Sequence, residues 1–227
     1  MKRALEIDQE TGTHFWRDAI RKEMKAIKDI FKHLEDGQKP PPGYNELTCH
    51  IIFDIKPDFT RKARYVADGH KLETPSTLTY ASVVSRESVR IFFTLAALNG
   101  LEVKAADISN AYLNAPCAEK LWIRCGPEFG PEHNGEIAIL LKALYGLKSA
   151  GASWRRHCAQ MLHDELHFLP SRGDNDVWFK PAVKEDGTKY YEYVLVYTDD
   201  LLVGSMDTNK IMTSVDQHFH LKKGSVK

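Results

Sequence analysis

Apolar and polar positions alternate with different periods along this chain, and each change of period marks a predicted element. Trp16, Ile20, Met24, Ile27, Phe31 and Leu34 recur every three or four residues between charged ones, which predicts an amphipathic helix stopping at Gly37. Pro40-Pro41-Pro42-Gly43 follows as a turn-rich connector. Cys49 to Lys56 and Lys62 to Ala67 read as two antiparallel strands, with Lys62 and Arg64 two apart and therefore on one face. Val89, Phe92, Phe93, Ala96 and Ala97 predict a core helix over Ser85 to Asn99, ended by Asn99-Gly100. Leu101 to Ile108 alternates like a strand that delivers Asp107 at its end, and Ser109 to Ala115 is a short helix or turn closed by Pro116. Leu121 to Arg124 and Glu136 to Lys142 predict strands around the Gly/Pro-rich loop Gly126 to Gly135. Ala143 to Ala152 leads into a long helix through Trp154, Met161, Leu162, Leu166 and Phe168. Asp176 to Lys180 is a further strand, and Asp207 to Phe219 a last amphipathic helix.

The sharpest pattern is Tyr191 to Ser205. Tyr193-Val194-Leu195-Val196-Tyr197 and Leu201-Leu202-Val203 flank Asp199 and Asp200, which predicts a β-hairpin with acids at its tip. Asp is unfavourable in strands and beside buried side chains unless its charge is compensated. Two readings stand for the pair: an Asp-rich turn, or ligands of a hard divalent cation, which prefers carboxylate oxygens. Strands and helices mix without regular βαβ alternation, so the expected fold class is α+β with a largely antiparallel sheet and packed helices.

Composition changes the picture little. At 227 residues the chain has length for one large domain or two small ones, and 43% apolar with 27% charged residues is ordinary for a globular protein. Lysines and arginines equal acids at 31 each, so a basic footprint for nucleic acid has to be local. One such patch is Lys56, Arg61, Lys62, Arg64 and Lys71 against Asp58 and Asp68, and it reads equally as a phosphate-facing surface or as a guarded edge strand. Cys49, Cys117, Cys125 and Cys158 show no C-x-x-C and no zinc-type spacing, so they are expected as free thiols of a reducing compartment. The longest apolar run, Ile91 to Leu98 interrupted by Thr94, is far too short to span a bilayer, and the N-terminus lacks a signal core. The expectation is an intracellular, cytoplasmic protein without membrane or secretory role.

Asp107 at a strand end and Asp199-Asp200 at a hairpin tip would repel one another if they met in one sheet, unless cations neutralised them. Two divalent ions about 3.5–4 Å apart on such acids are a recurrent engine of nucleotidyl transfer. Several ordered motifs carry a resemblance around these acids. Lys62-Ala63-Arg64-Tyr65-Val66-Ala67 resembles K-A-R-L-V-A, and Asp107-Ile108-Ser109-Asn110-Ala111-Tyr112-Leu113 resembles D-V-K-x-A-F/Y-L-N. Leu144-Tyr145-Gly146-Leu147-Lys148 matches L-Y-G-L-K with Trp154 downstream, Asp174 to Lys180 resembles D-x-x-x-(L/V)-(Y/F/W), and Tyr197-Thr198-Asp199-Asp200 resembles Y-V-D-D. Together, over roughly Trp16 to Lys227, the chain resembles the reverse transcriptase of copia-type LTR retrotransposons.

That resemblance implies a right-hand polymerase: N-terminal helix and fingers over about 13–100, and palm over about 101–227 with an inserted fingers segment, ending before the thumb. It implies that Asp107, Asp199 and Asp200 are catalytic and hold two Mg²⁺, with Mn²⁺ as an alternative. It implies that Lys62, Arg64, Tyr112, Gly146, Lys148 and Ser149 meet the incoming dNTP. There Arg64, or else Lys62, would pair with the triphosphate, and the Tyr112 ring would crowd a 2′-hydroxyl. Implied partners are an RNA or DNA template with its primer, dNTPs, and the integrase and ribonuclease H of the Pol polyprotein; implied surroundings are a virus-like particle.

Three positions depart from the family pattern. Ser149-Ala150-Gly151-Ala152-Ser153 stands for Q-A-P-R-x, Thr198 for Val, and Asp68 for a basic residue. Ser149 donates one hydrogen bond over a shorter reach than glutamine. Two further readings compete with an RNA-directed DNA polymerase: an inactive transposon relic that binds nucleic acid at most, and a different two-metal nuclease. The nuclease leaves Tyr112, Arg64 and the LYGLK motif unexplained.

Overall fold

A computed structural model describes residues 1–75 and 79–226; Lys227, the last residue of the expected palm, lies outside them. Helix α1 (Lys2–Thr11), which the sequence pattern did not announce, precedes α2 (Phe15–Ala26). Helix α2 is eight residues shorter at its C-terminus than the periodicity to Leu34 implies, because the chain turns through a 3₁₀ turn at Lys28–Ile30 into strand β1 (Phe31–His33). Ile27, Ile30 and Phe31 are still buried, so the apolar spacing is honoured by a turn and a strand in place of a helix. Strands β2 (Asn45–Glu46), β3 (Cys49–Ile55) and β4 (Arg61–Ala67) follow, then α3 (Arg86–Asn99), β5 (Glu102–Asp107) and α4 (Ala111–Asn114). The chain continues through β6 (Leu121–Arg124), β7 (Ile137–Leu140), α5 (Ala150–Gln160) and β8 (Leu169–Pro170). Strands β9 (Val177–Val183), β10 (Lys189–Tyr197), β11 (Asp200–Ser205) and helix α6 (Thr208–Phe219) complete it. The mixture is α+β, and every strand pair is antiparallel except β2 with β6. Among the described residues no helix is long and apolar enough to cross a membrane.

The chain divides into two compact units, Met1–Thr79 with Ala115–Ser153, and Tyr80–Asn114 with Trp154–Lys227. In the first, strands run in the order β1-β7-β6-β2, beside the separate hairpin β3-β4. Ala19 and Ile20 of α2 pack on Ala63 of β4, with Leu5, Met24, Ile51 and Phe53 around them. Buried Ala63, Tyr65 and Ala67 alternate with half-buried Lys62, Arg64 and Val66, so the two basic side chains do share a face. Glu23 of α2 accepts the Tyr65 amide at 2.9 Å and so satisfies a donor on the strand edge that β3 leaves unpaired. Asp68, a departure that reduces the basic patch on paper, is locally neutralised: it accepts from Thr48 and Lys71, both at 2.6 Å, and lies 2.8 Å from His50.

In the second unit the order is β5-β11-β10-β9-β8. Phe92 and Ala96 of α3 pack with Leu195, Val84 and the partly buried Tyr193 and Leu202. Of the apolar set expected in the core, Phe93 is 49% exposed and Ala97 also faces solvent, because the helix meets the sheet along a narrow stripe. Helix α6 buries Ile211, Met212, Val215 and Phe219, and Phe219 meets Trp154 of α5 edge-on at 4.9 Å. Helix α5 continues as a π-helical turn over Met161–Glu165, and Phe168 lies beyond it, fully buried. All four cysteines are free thiols.

The Leu144-to-Ser149 motif is a turn that leads into α5. The Ala67 amide donates to the Tyr145 carbonyl at 2.7 Å, and Gly146 beside it has φ +91°. A Cβ there would stand 2.2 Å from the Ala67 carbonyl oxygen. Gly12 has a similar φ of +65° but open space around it. Gly12→Ala is therefore expected to lose about 1 kcal/mol from the left-handed backbone alone, and Gly146→Ala at least about twice that because steric overlap adds to it. Urea unfolding of the two variants checks this; equal losses would show that the approach of Gly146 to β4 is unimportant.

Candidate active site

Three carboxylates converge at one end of the five-stranded sheet because of strand register. Strand β11 lies between β5 and β10, with Asp200 opposite Asp107 on one side and opposite Tyr197 on the other. The β10–β11 connection is therefore the two-residue turn Thr198-Asp199. Thr198 has φ +56°, unfavourable for any β-branched residue, valine included. Two hydrogen bonds hold the turn. Buried Trp154 donates its indole N–H to the Thr198 carbonyl at 2.7 Å, and the Ile108 amide donates to the Asp199 carbonyl at 2.7 Å. The motif tryptophan is thus core and turn anchor together.

The electrostatics reflect this crowding. Partial burial, then the charges of Asp199 and Asp107, raise the Asp200 pKa; Lys222 works against them. Lys222 places Nζ 2.9 Å from Asp107 Oδ2, and that contact, with the other two acids, raises the pKa of the ammonium. The segment carrying Lys222 runs along the Asp107 strand end: the Lys222 amide donates to the Asp107 carbonyl at 2.9 Å, and the Asp107 amide to Ser225 Oγ at 3.1 Å. Sequence spacing gives no sign of this lysine, which is 115 positions from its partner. Tyr112, on α4 just after β5, is partly buried; burial and then the Asp199 charge raise its pKa.

Other motif acids hold the fold. Asp174 accepts the Ser85 amide at 2.9 Å and the Ser88 hydroxyl at 2.7 Å, fixing the first turn of α3. Buried Asp176 accepts Arg155 Nε at 2.8 Å and also the Ser82 hydroxyl.

The remaining expected site residues belong to the first unit. Lys62 and Arg64 share the partly exposed face of β4. Gly146, Lys148 and Ser149 lie in the turn that closes against the end of β4. Exposed Lys148 donates to the Leu72 carbonyl at 2.9 Å, while Ser149 is buried and gives its hydroxyl to the Glu119 carboxylate.

At neutral pH Asp200 costs stability, since its folded pKa lies above its unfolded value: the stability it lends is complete below the unfolded pKa and disappears as pH rises through the folded one. Without divalent ions, Asp200→Asn is therefore expected to raise the thermal midpoint at pH 7 and to flatten its decline between pH 4 and 7. A midpoint at or below that of the parent would show that the acids do not strain the hairpin.

Residues 39–226 match the family model described as reverse transcriptase (RNA-dependent DNA polymerase). The chain is 31% identical over 182 residues to the Transposon Ty1-NL2 Gag-Pol polyprotein of Saccharomyces cerevisiae, covering 78% of this chain and 10% of that polyprotein. It is also 31% identical over 181 residues to the truncated transposon Ty1-A Gag-Pol polyprotein of the same yeast, covering 78% of this chain and 14% of that one. The chain thus spans only about a tenth of the length of these relatives. With the matched region covering both the hairpin acids and the LYGLK turn, the chain belongs to the reverse transcriptase family of copia-type retrotransposons.

Proposed function

We propose that this chain is the nucleotidyl-transfer core of an RNA-directed DNA polymerase, joining dNTPs to a primer 3′-hydroxyl on an RNA or DNA template. The observation that carries this is the unbalanced charge at the hairpin: Asp107, Asp199 and Asp200 meet one ammonium, Lys222, and Asp200 is left with a raised proton affinity. All three are hard oxygen donors, the ligand type that suits Mg²⁺ or Mn²⁺, so the residues fit a pair of divalent ions. When bound, such ions supply Lewis acidity to the attacking hydroxyl and to the phosphates.

The chain's own residues do the rest. Asp107, Asp199 and Asp200 hold the ions. The Trp154–Thr198 hydrogen bond fixes two of these acids before substrate arrives, which removes reorganisation from the chemical step. Arg64 presents a planar guanidinium to the triphosphate, with Lys62 beside it on the same face. Tyr112 bars a 2′-hydroxyl by occupying the space below the sugar. Lys148 and Gly146 line the nucleotide pocket; Ser149 acts there through Glu119, whose carboxylate it holds. In this reading residues of about 13–100 form the N-terminal helix and fingers and those of about 101–227 the palm, with an inserted fingers segment. The template, the primer, the other Pol domains and a virus-like particle in the cytoplasm are its expected surroundings.

Primer extension on an RNA template with dNTPs and Mg²⁺ tests this directly. Asp199→Asn is expected to lose at least about a hundredfold in rate, roughly 2.7 kcal/mol of transition-state stabilisation. Tyr112→Ala is expected to admit ribonucleotides while still extending with dNTPs. No extension by the parent chain, with template bound, would favour a nucleic-acid-binding relic.

Template affinity should fall steeply with salt, since phosphate contacts release counterions: about 0.7 decades per decade of salt for each phosphate held on a single strand. Lys62→Ala and Arg64→Ala should leave that slope unchanged and raise the KM for dNTP instead. Salt-independent binding would exclude a phosphate-lined groove.

A further inference from the structure

A second cluster of metal-ligand side chains lies in the first unit, on residues that the polymerase reading leaves without a role. His33 ends strand β1, Glu136 precedes β7, and His133 belongs to the loop joining β6 to β7. His33 Nδ1 lies 3.1 Å and His133 Nδ1 2.8 Å from the same oxygen, Glu136 Oε2. The two imidazoles stack with centroids 4.3 Å apart. Among the described residues these three form the one group of His, Cys, Asp or Glu whose ligand atoms all lie within 4.8 Å of one another. Buried Cys125, at the end of β6, places Sγ 4.0 Å from His33 Nδ1.

We propose that His33, His133, Glu136 and Cys125 form a structural site for a divalent transition ion of the zinc class. Tetrahedral zinc has bonds of about 2.0–2.3 Å, which place ligand atoms about 3.2–3.7 Å apart. The observed 2.8 and 3.1 Å lie within about half an ångström of that, and Cys125 Sγ, 4.0 Å from His33 Nδ1 but outside the group of three, reaches the ion by a side-chain rotation. Imidazole, carboxylate and thiolate together select zinc over Mg²⁺, so this site does not compete for the ions of the acidic hairpin. As hydrogen-bonded now, one carboxylate oxygen accepts from both rings; an ion takes the place of those two protons and of the Cys125 thiol proton, all three released to solvent.

The backbone around the cluster is already fixed. The Cys125 amide donates to the Glu136 carbonyl at 2.8 Å, the Gly135 amide to the Cys125 carbonyl at 2.8 Å, and the Glu136 amide to the His133 carbonyl at 3.1 Å. Entry is open as well, because both histidines line a groove with Glu128 and Glu132, whose charge attracts cations. Bound there, the ion would fasten β1, an edge strand three residues long, to a loop 100 positions later in the chain.

Cobalt(II) titration of the chelator-treated chain tests the site, since tetrahedral Co²⁺ gives intense visible d–d bands and a bound thiolate adds a charge-transfer band. Expected are one such Co²⁺ per chain, displacement by one equivalent of Zn²⁺, and a rise in thermal midpoint with Zn²⁺. His33→Asn and His133→Asn should each weaken binding at least about tenfold. Cys125→Ser should remove the charge-transfer band alone, and Asp199→Asn should change nothing. Both histidines are partly exposed, so their variants are expected to fold, and far-UV circular dichroism checks that they do. Absence of tetrahedral bands in the parent chain at stoichiometric Co²⁺ would overturn the proposal, whatever the variants do. So would bands that persist in the folded His33→Asn/His133→Asn double variant.

Discussion

Everything in the second unit depends on holding three like charges in one place. Asp200 and Asp107 stand directly opposite each other on neighbouring strands, and like charges in that relation oppose sheet formation. The register survives because the strands behind them bury a continuous apolar face. Val194, Leu195, Leu201 and Val203 are buried, and α3 and α6 cover the sheet with Phe92, Ile211, Val215 and Phe219. A slip of one residue would exchange the two faces of β11, so the core fixes the position of the acids far more firmly than the acids oppose it. The turn adds its own strain at Thr198, which the Trp154 hydrogen bond and the Ile108 amide restrain.

The hairpin, its acids, β3, β4, β6, β7, α3 and α6 were legible in the sequence because each is a local pattern with a clear period and a clear stop. Ser85 and Asp207 cap their helices through side-chain oxygens, and Gly100 closes α3 with φ +63°. The errors come where a distant partner decides. Phe31 has helical spacing from Ile27, yet β7 offers it a strand edge, and Phe31 pairs with Leu140. No local pattern contains that information. Helix α1 carries few apolar residues, and its anchor is the buried Asp8, which accepts the amides of Trp16 at 3.2 Å and Arg17 at 2.9 Å.

Side-chain roles divide along the same line. Asp107, Asp199 and Asp200 stood out because an acid beside apolar strand residues is conspicuous. Trp154, Lys222, Asp174 and Asp176 act through partners tens of positions away, so spacing alone gave them either a core role or none. The His33, His133 and Glu136 cluster escaped for the same reason. Its two histidines lie 100 positions apart in number, outside any short metal-binding spacing, and come together only because β1 pairs with β7.

The causes acting on each acid's proton affinity, more than its direction, distinguish the hairpin acids from the rest. Asp68 is held down to about 2 by hydrogen bonds from Lys71 and Thr48, and Glu102 is lowered by the Thr208 hydroxyl and by Lys104. Each has donors that reward its charge, so each is explained by stability alone. Glu23 is raised, but by burial, with Lys62 and Arg64 working against the shift. Asp200 is raised by burial too, but among the described carboxylates that shift it is the one that the charges of other acids, Asp199 and Asp107, raise further. Among the described residues the exposed Lys222 ammonium is the cation that meets these three groups, which leaves them short of positive charge. A structural role would be served as well by asparagine at that tip, without the repulsion. Carboxylates there keep the repulsion, and under the proposed function divalent cations would relieve it.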